Sequence, residues 1–553
     1  SNSNIHTFFI YSTNVELLVN IFNINNRDNP EKIIFMNFVI SILKYLQVND
    51  SNIVAKIFID KYWHIEERAF TFDTLPVENQ RFEYYKAPKK IQDSFISIVN
   101  QEIVSYLYKI NIEPKEYWGK DAKELNNEIF RFLQQRLEEE VTRFNDSILF
   151  YNYTEIEYIE WKRERDESQV GLDASKYIEF DLEEKYTEQR LEVSRLAIAS
   201  KHLLHTILKV NPKGNKAIVD SDWYYLMALS NIINDTIQRS DHLHYGLANT
   251  GIKITDIYEM IDIDKSTKID FEGYYQKVTT SKIISSKNSF FKEEVIKKND
   301  NTKKMPIFDP ELNESWNTEY GFELDDMIII LNTIGKNDFK RDVNFPLNLI
   351  SLDELSNLIQ EYVIEPPSKK EIIKVIDFLS LDYNTFSEYE YIDYSIDRLM
   401  QKKDRLNLSP FLKIGDKYLF GNQLVLQSTK AWFYPLSGGD IPFTIDNNST
   451  IKPSIAKIHR SLDLELEENA YQVIVKELGK ELVEKTILNF NRIHKSFEKR
   501  PPCGEIDLLI VNPTTKTIFV MDAKNVNKKL FTSAVERELR AFFHGGSKKK
   551  SYL

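Results

Sequence analysis

The sequence predicts a multidomain protein, with a mostly α-helical N-terminal body and a smaller C-terminal α/β domain. Three observations carry that reading. Residues 1–300 repeatedly place apolar side chains three and four positions apart, the spacing of one helix face. Residues 296–304 are polar, charged and aperiodic, with Pro306 and Pro310 just beyond, and read as a linker. Near the C-terminus two apolar runs flank Asn512-Pro513-Thr514-Thr515-Lys516, which reads as two strands around a turn. At 553 residues the chain exceeds one ordinary hydrophobic core, so several domains are expected.

Taken in order, the body (1–300) shows helical periodicity most clearly over residues 125–133 and 191–210. Segments around Trp63 and Trp161 are expected as short strands. His202-x-x-His205 falls on a helix, and Asp241-His242-Leu243-His244 alternates like a strand. Neither pair has a third ligand close in sequence, so core or surface histidines are expected rather than metal sites. A body of this size is expected to sense, recruit a protein partner or form a homo-oligomer. The next region (301–445) begins helical and then offers residues 411–420, where Gly415-Asp416 between apolar runs signals a hairpin. Helices followed by a hairpin could form a winged-helix-like unit. Residues 446–553 make the terminal domain.

The formal net charge of −12 gives no global sign of nucleic-acid binding, but the charge is uneven. Residues 492–550 hold 13 Lys and Arg against 6 Asp and Glu, a local surplus of seven positive charges that leaves −19 on the rest. A basic terminal unit on an acidic body fits a polyanionic partner. One cysteine, Cys503, excludes an intramolecular disulfide and a cysteine-rich zinc site, and nothing near it suggests a catalytic thiol. No apolar run reaches membrane-spanning length and the first residues do not resemble a signal peptide, so a cytoplasmic protein is expected, without a membrane partner. A Gly-rich phosphate loop is also missing, so any nucleotide-driven step would need another polypeptide.

The chemistry concentrates in the two terminal strands. Gly504-Glu505-Ile506-Asp507-Leu508-Leu509-Ile510-Val511 carries one aspartate amid apolar residues, and Ile518-Phe519-Val520-Met521 leads into Asp522-Ala523-Lys524. Charge in a hydrophobic strand is costly and asks for a cause. Acidic-x-Lys triplets also occur at Glu113, Glu183 and Asp338, so the strand setting, not the triplet, is the signal. Side chains alternate along a strand, so Asp522 and Lys524 share a face, as do Glu505 and Asp507. With Val511 opposite Ile518, paired numbers sum to 1029. Asp507 then faces Asp522, and Glu505 faces Lys524. Opposed carboxylates repel unless a cation lies between them, and oxygen ligands without His or Cys favour Mg²⁺ or Mn²⁺. Such a site could polarise a phosphate, with Lys524 orienting water or offsetting developing charge.

The order of a helix bearing Glu, a Gly-Glu-Ile-Asp-Leu-Leu strand, a short turn and an apolar strand ending Asp-x-Lys resembles the PD-(D/E)xK, or restriction-endonuclease-like, nuclease superfamily. The resemblance covers roughly residues 455–545. It implies an αβββαβ core, whose last strand is expected to be missing from this sequence, and Mg²⁺-dependent phosphodiester hydrolysis. It also implies that Asp507 and Asp522 bind the metal, with the Ala523 carbonyl as a further ligand and Lys524 as catalytic lysine. Glu505 matches the acidic residue of Gly-Glu-Ile-Asp variants. A glutamate on the preceding helix should face the site. The helical wheel places Glu467 beside Ala470, Tyr471, Ile474 and Leu478, whereas spacing to Gly479, the expected helix stop, suits Glu468, so both stay candidates. Lys528, Lys529, Arg537 and Arg540 are expected to hold the nucleic-acid backbone through phosphate contacts.

The sequence thus predicts a metal-dependent endonuclease with a large helical regulatory or partner-binding region, DNA being favoured over RNA by the habits of the superfamily. The architecture looks like that of restriction or anti-phage defence effectors. The alternative is a non-catalytic nucleic-acid-binding or scaffold subunit that retains the nuclease fold.

Overall fold

A computed structural model of the chain describes residues 40, 51–62, 85–176, 182–245, 250–255, 260–264, 307–337, 346–363, 365–394, 396–487 and 506–521. The chain divides into two compact units, residues 1–85 and 86–553. The first contains helix α1 (Ser51–Tyr62), on which Ala55 is buried. All that follows concerns the second unit.

Its helical part comprises α2 (Asp93–Lys109), α3 (Gly119–Val141), α4 (Ser147–Lys176), α5 (Leu182–Val210) and α6 (Asp220–Tyr245). On α3, Leu125, Ile129, Leu133, Leu137 and Val141 recur every fourth residue and are buried, the stripe that helical periodicity demands. α3 packs on α6 and α4 on α5. A small antiparallel sheet closes this part: β1 (Glu116–Tyr117) pairs with β2 (Thr250–Ile254), which pairs with β3 (Met260–Asp264).

Two expectations fail here. Trp161 lies inside α4, not on a strand. α4 is buried nearly all round from Asn152 to Trp161, glutamates included, so its apolar period was masked by charges that turn inward. His242 and His244 belong to the last turn of α6: the alternation around them spans only four residues, and the helix simply continues through it. The segment around Trp63 lies outside the described residues.

The inward glutamates of α4 have definite partners. Glu160, fully buried, meets Lys201 Nζ at 2.5 Å and Arg163 at 3.0 Å, and these cations hold its carboxyl below its usual range against the opposing effect of burial. Glu164 and Glu167 both pair with Lys430. Glu157 accepts hydrogen bonds from the Gln423 and Leu424 backbone amides, at 2.9 and 2.8 Å.

The middle region runs α7 (Pro310–Tyr320), α8 (Leu324–Lys336), β4 (Leu347–Ser351), α9 (Leu352–Tyr362), α10 (Lys369–Phe378), β5 (Ser380–Leu381), α11 (Ile396–Gln401), β6 (Phe411–Ile414), β7 (Lys417–Gly421) and α12 (Asn422–Ser437). The expected hairpin at 411–420 is β6–β7, turning at Gly415, whose φ of +63° is open to glycine without strain. It sits inside a mixed four-stranded sheet of order β4-β7-β6-β5, with β4 antiparallel to β7 and β5 parallel to β6. One core gathers Trp316, Phe411, Phe420 and Trp432. The core of the helical part extends into this region through Leu347, Phe386, Leu406, Leu412, Leu419 and Leu424, so the two share buried surface.

The last described elements are α13 (Ile451–Leu478), β8 (Val483–Ile487), β9 (Ile506–Asn512) and β10 (Thr517–Met521). α13 stops at Gly479, whose φ is +94°, as the sequence predicts. The three strands form an antiparallel sheet of order β10-β9-β8. The chain is thus mostly helical with small sheets, and among the described residues no helix is long and apolar enough to cross a membrane.

Candidate functional site

The terminal sheet is assembled by alternation. Leu508 and Ile510 of β9, with Val483 of β8, form a small core covered by Ala470, Tyr471, Ile474 and Val475 of α13. Asp507 and Leu509 therefore belong to the other face. Asp507 is 6% exposed, so its carboxyl is largely removed from water.

The register matches the arithmetic of the sequence. Ile518 pairs with Val511, and the pairing runs from Thr517↔Asn512 to Met521↔Leu508. The turn is held by Asn512, whose Oδ1 accepts from the Thr514 and Thr515 amides at 3.1 and 3.2 Å. Lys516 completes it with φ +53°.

On α13, Glu468 pairs with Lys485 of β8 and also accepts from Gln472. These hydrogen bonds, Lys485 first, draw its carboxyl below the usual range, and the same bond raises Lys485. Lys485 lies opposite Leu508, on the sheet face that α13 covers, with its ammonium 4.9 Å from the centre of the Tyr471 ring. Glu467 adds to the negative field on Lys485. Sequence reading missed this lysine, because only the packing of α13 on the sheet brings it to Glu468. The structure therefore gathers Glu467, Glu468 and Lys485 on one side of the sheet and puts Asp507 on the strand face that alternates away from it.

Asp522, Ala523, Lys524 and Glu505 lie outside the described residues, as do Lys528, Lys529, Arg537, Arg540 and Cys503. Among the described residues no group of three or more His, Cys, Asp or Glu side chains could hold a metal ion, and Asp507 is the one expected ligand they include. Asp507 contributes a single carboxylate, a hard oxygen donor of the kind that Mg²⁺ and Mn²⁺ take.

His202 and His205 are core residues of α5. His202 Nε2 lies 2.9 Å from Gln134 Oε1, and the His205 ring stacks on Phe386 at 4.6 Å. Burial pushes them down to about 4 and about 3, so both are neutral. No protein-family model, no curated protein and no solved structure matches this chain.

Proposed function

We propose that the chain is a metal-dependent nuclease that hydrolyses nucleic-acid phosphodiester bonds, with DNA as the favoured substrate. The observation that supports this is the β9–β10 register together with the burial of Asp507. If the register continued one pair further, Asp522 would stand opposite Asp507, and two pairs beyond that Lys524 would stand opposite Glu505. Two carboxylates held face to face repel, and a cation between them would offset that repulsion. Asp507 and Asp522, with the Ala523 carbonyl, would hold Mg²⁺ or Mn²⁺, whose chemistry there is to polarise the phosphate and acidify a bound water. Lys524 would orient that water or stabilise the developing negative charge. Glu505 would add an acidic group there, whereas Glu467 and Glu468 stand with Lys485 on the other side of the sheet; Lys528, Lys529, Arg537 and Arg540 would grip the backbone. The large helical region suits a regulatory or partner-binding role, as in an antiviral defence effector.

Plasmid cleavage in Mg²⁺ tests the reading. Asp507→Asn, Asp522→Ala and Lys524→Ala should each lower the rate by about a hundredfold or more, the scale of losing one transition-state contact. Equal cleavage by the wild type and all three variants would sink it. A protein that binds nucleic acid and never cuts it would be the non-catalytic subunit instead.

A further inference from the structure

The terminal sheet ends on a strand whose composition does not suit an exposed edge. Among the described residues β10 is hydrogen-bonded on one side only, to β9. Ile518, Phe519, Val520 and Met521 are between 40% and 62% exposed, and Val511 of β9 is exposed beside them. Alternation puts Ile518 and Val520 with Val511 on the face away from α13, and Phe519 and Met521 on the other. On that second face α13 covers Leu508 and Ile510, and among the described residues the core they share stops short of β10. Both faces of β10 are therefore apolar and open. Other edges of the small sheets carry charge: Glu116 on β1, Asp262 and Asp264 on β3, Glu484 and Lys485 on β8. Such charges keep an exposed edge from pairing with another chain, and β10 has neither charge nor proline.

We propose that β10 is the dimerisation edge of this chain and pairs antiparallel with β10 of a second copy, joining two three-stranded sheets into one. The strand is complementary to itself. Full pairing of Thr517–Met521 sets Phe519 opposite Phe519 of the second copy, on the twofold axis, and Ile518 opposite Val520 on either side. No like charges meet, and aromatic and β-branched pairs across strands are the contacts that stabilise such a ladder. Ile518, Val520 and Val511 of the two copies then form one apolar stripe across the junction. Of the residues that follow β10, Phe531, Val535, Leu539 and Phe543 recur four apart, a helical rather than a strand period, so a second copy suits the edge better than they do. The charged edge on β8 stops the assembly at two copies. The inference goes beyond the nuclease reading and needs no catalysis.

Sedimentation velocity of the full chain over a concentration series tests this. The interface is small, so the wild type should dimerise with a dissociation constant on the order of 10 µM. Phe519→Lys and Phe519→Glu each set like charges opposite one another and should weaken association about tenfold or more, with unchanged circular dichroism. An equimolar mixture of the two variants should dimerise again, because the axis then brings Lys against Glu. Amide exchange over residues 517–521 of the wild type should slow as its concentration rises. A wild type still monomeric at about ten times the expected dissociation constant overturns the proposal. So does a dimer indifferent to both variants, a mixture that associates no better than either variant alone, or an assembly that grows past the dimer. A monomer whose β10 amides are protected at every concentration overturns it too, since the edge is then covered from within the chain. None of these measurements reads cleavage, so a failure of the nuclease reading would leave them unchanged.

Discussion

Glu157 and Gly421 fit each other at atomic range. A Cβ at position 421 would lie 1.9 Å from the Glu157 carboxyl carbon, so only glycine lets the carboxylate reach the first amides of α12. Those amides have no helical acceptor of their own, and the helix dipole adds to their pull on a negative charge. Glu157→Ala would leave two buried donors unpaired, at a cost of roughly 1–3 kcal/mol each. Gly421→Ala should destabilise the protein as well, although its backbone φ of −119° suits alanine, because the methyl displaces the carboxylate. Urea midpoints of the two variants and of their combination check this; a shared cause makes the double variant less than additive. The buried histidines give a pH dependence of known sign. His202 and His205 have folded values below the ordinary 6.5, so the unfolded chain binds more protons as pH falls. Their contribution is whole above about pH 6.5 and declines toward about pH 3. After burial, His202 and then Lys201 add to the depression of His205. His205→Phe, which can keep the stack on Phe386, should move the acid unfolding midpoint to lower pH in a circular-dichroism titration.

At the level of elements, what the sequence disclosed depended on how local its signals were. The β9–β10 register was readable because a polar five-residue turn separates two apolar runs, and the turn leaves little freedom in pairing. The β6–β7 hairpin was readable for the same reason, from Gly415 and Asp416. α4 was misread around Trp161 because a helix packed on every side has no polar face to reveal its period. The contact between Glu468 and Lys485 was invisible because it depends on how α13 lies across the sheet. Asp507 was conspicuous as charge in an apolar strand, yet its position on the face opposite α13 follows only from the observed packing. The capping box on α10, in which the Ser368 hydroxyl accepts from the Glu371 amide, makes an element-scale prediction. Ser368→Ala should cost about 1 kcal/mol, seen as a lower thermal midpoint and faster amide exchange over the first turn of α10.

Across the second unit, the helical and middle regions form a continuous structure. Their cores interleave through Leu347, Leu412, Leu419 and Leu424, and the α4 glutamates reach across to Gln423, Leu424 and Lys430. That continuity was hidden in a sequence that places a polar segment between them. A linker in sequence marks where the chain crosses, not where packing ends. Chemical denaturation should therefore unfold both regions together, with tryptophan fluorescence (Trp223 in one, Trp432 in the other) and far-ultraviolet dichroism giving coincident transitions.

One consequence follows from the length of α13. Its first residue, Ile451, is buried in the core with Trp316 and Trp432, while Tyr471 and Ile474 near its far end cover the terminal sheet. Its 28 residues span about 42 Å, and an α-helix turns 100° with each residue. The helix therefore works as a shaft that fixes the rotational phase between the middle-region core and the terminal sheet. One alanine inserted after Glu465 would turn one end relative to the other by about 100°, whereas seven would restore the phase to within about 20° while adding about 10 Å. If cleavage needs the terminal sheet held in one phase against the middle region, it should be lost with the first insertion and largely recovered with the second.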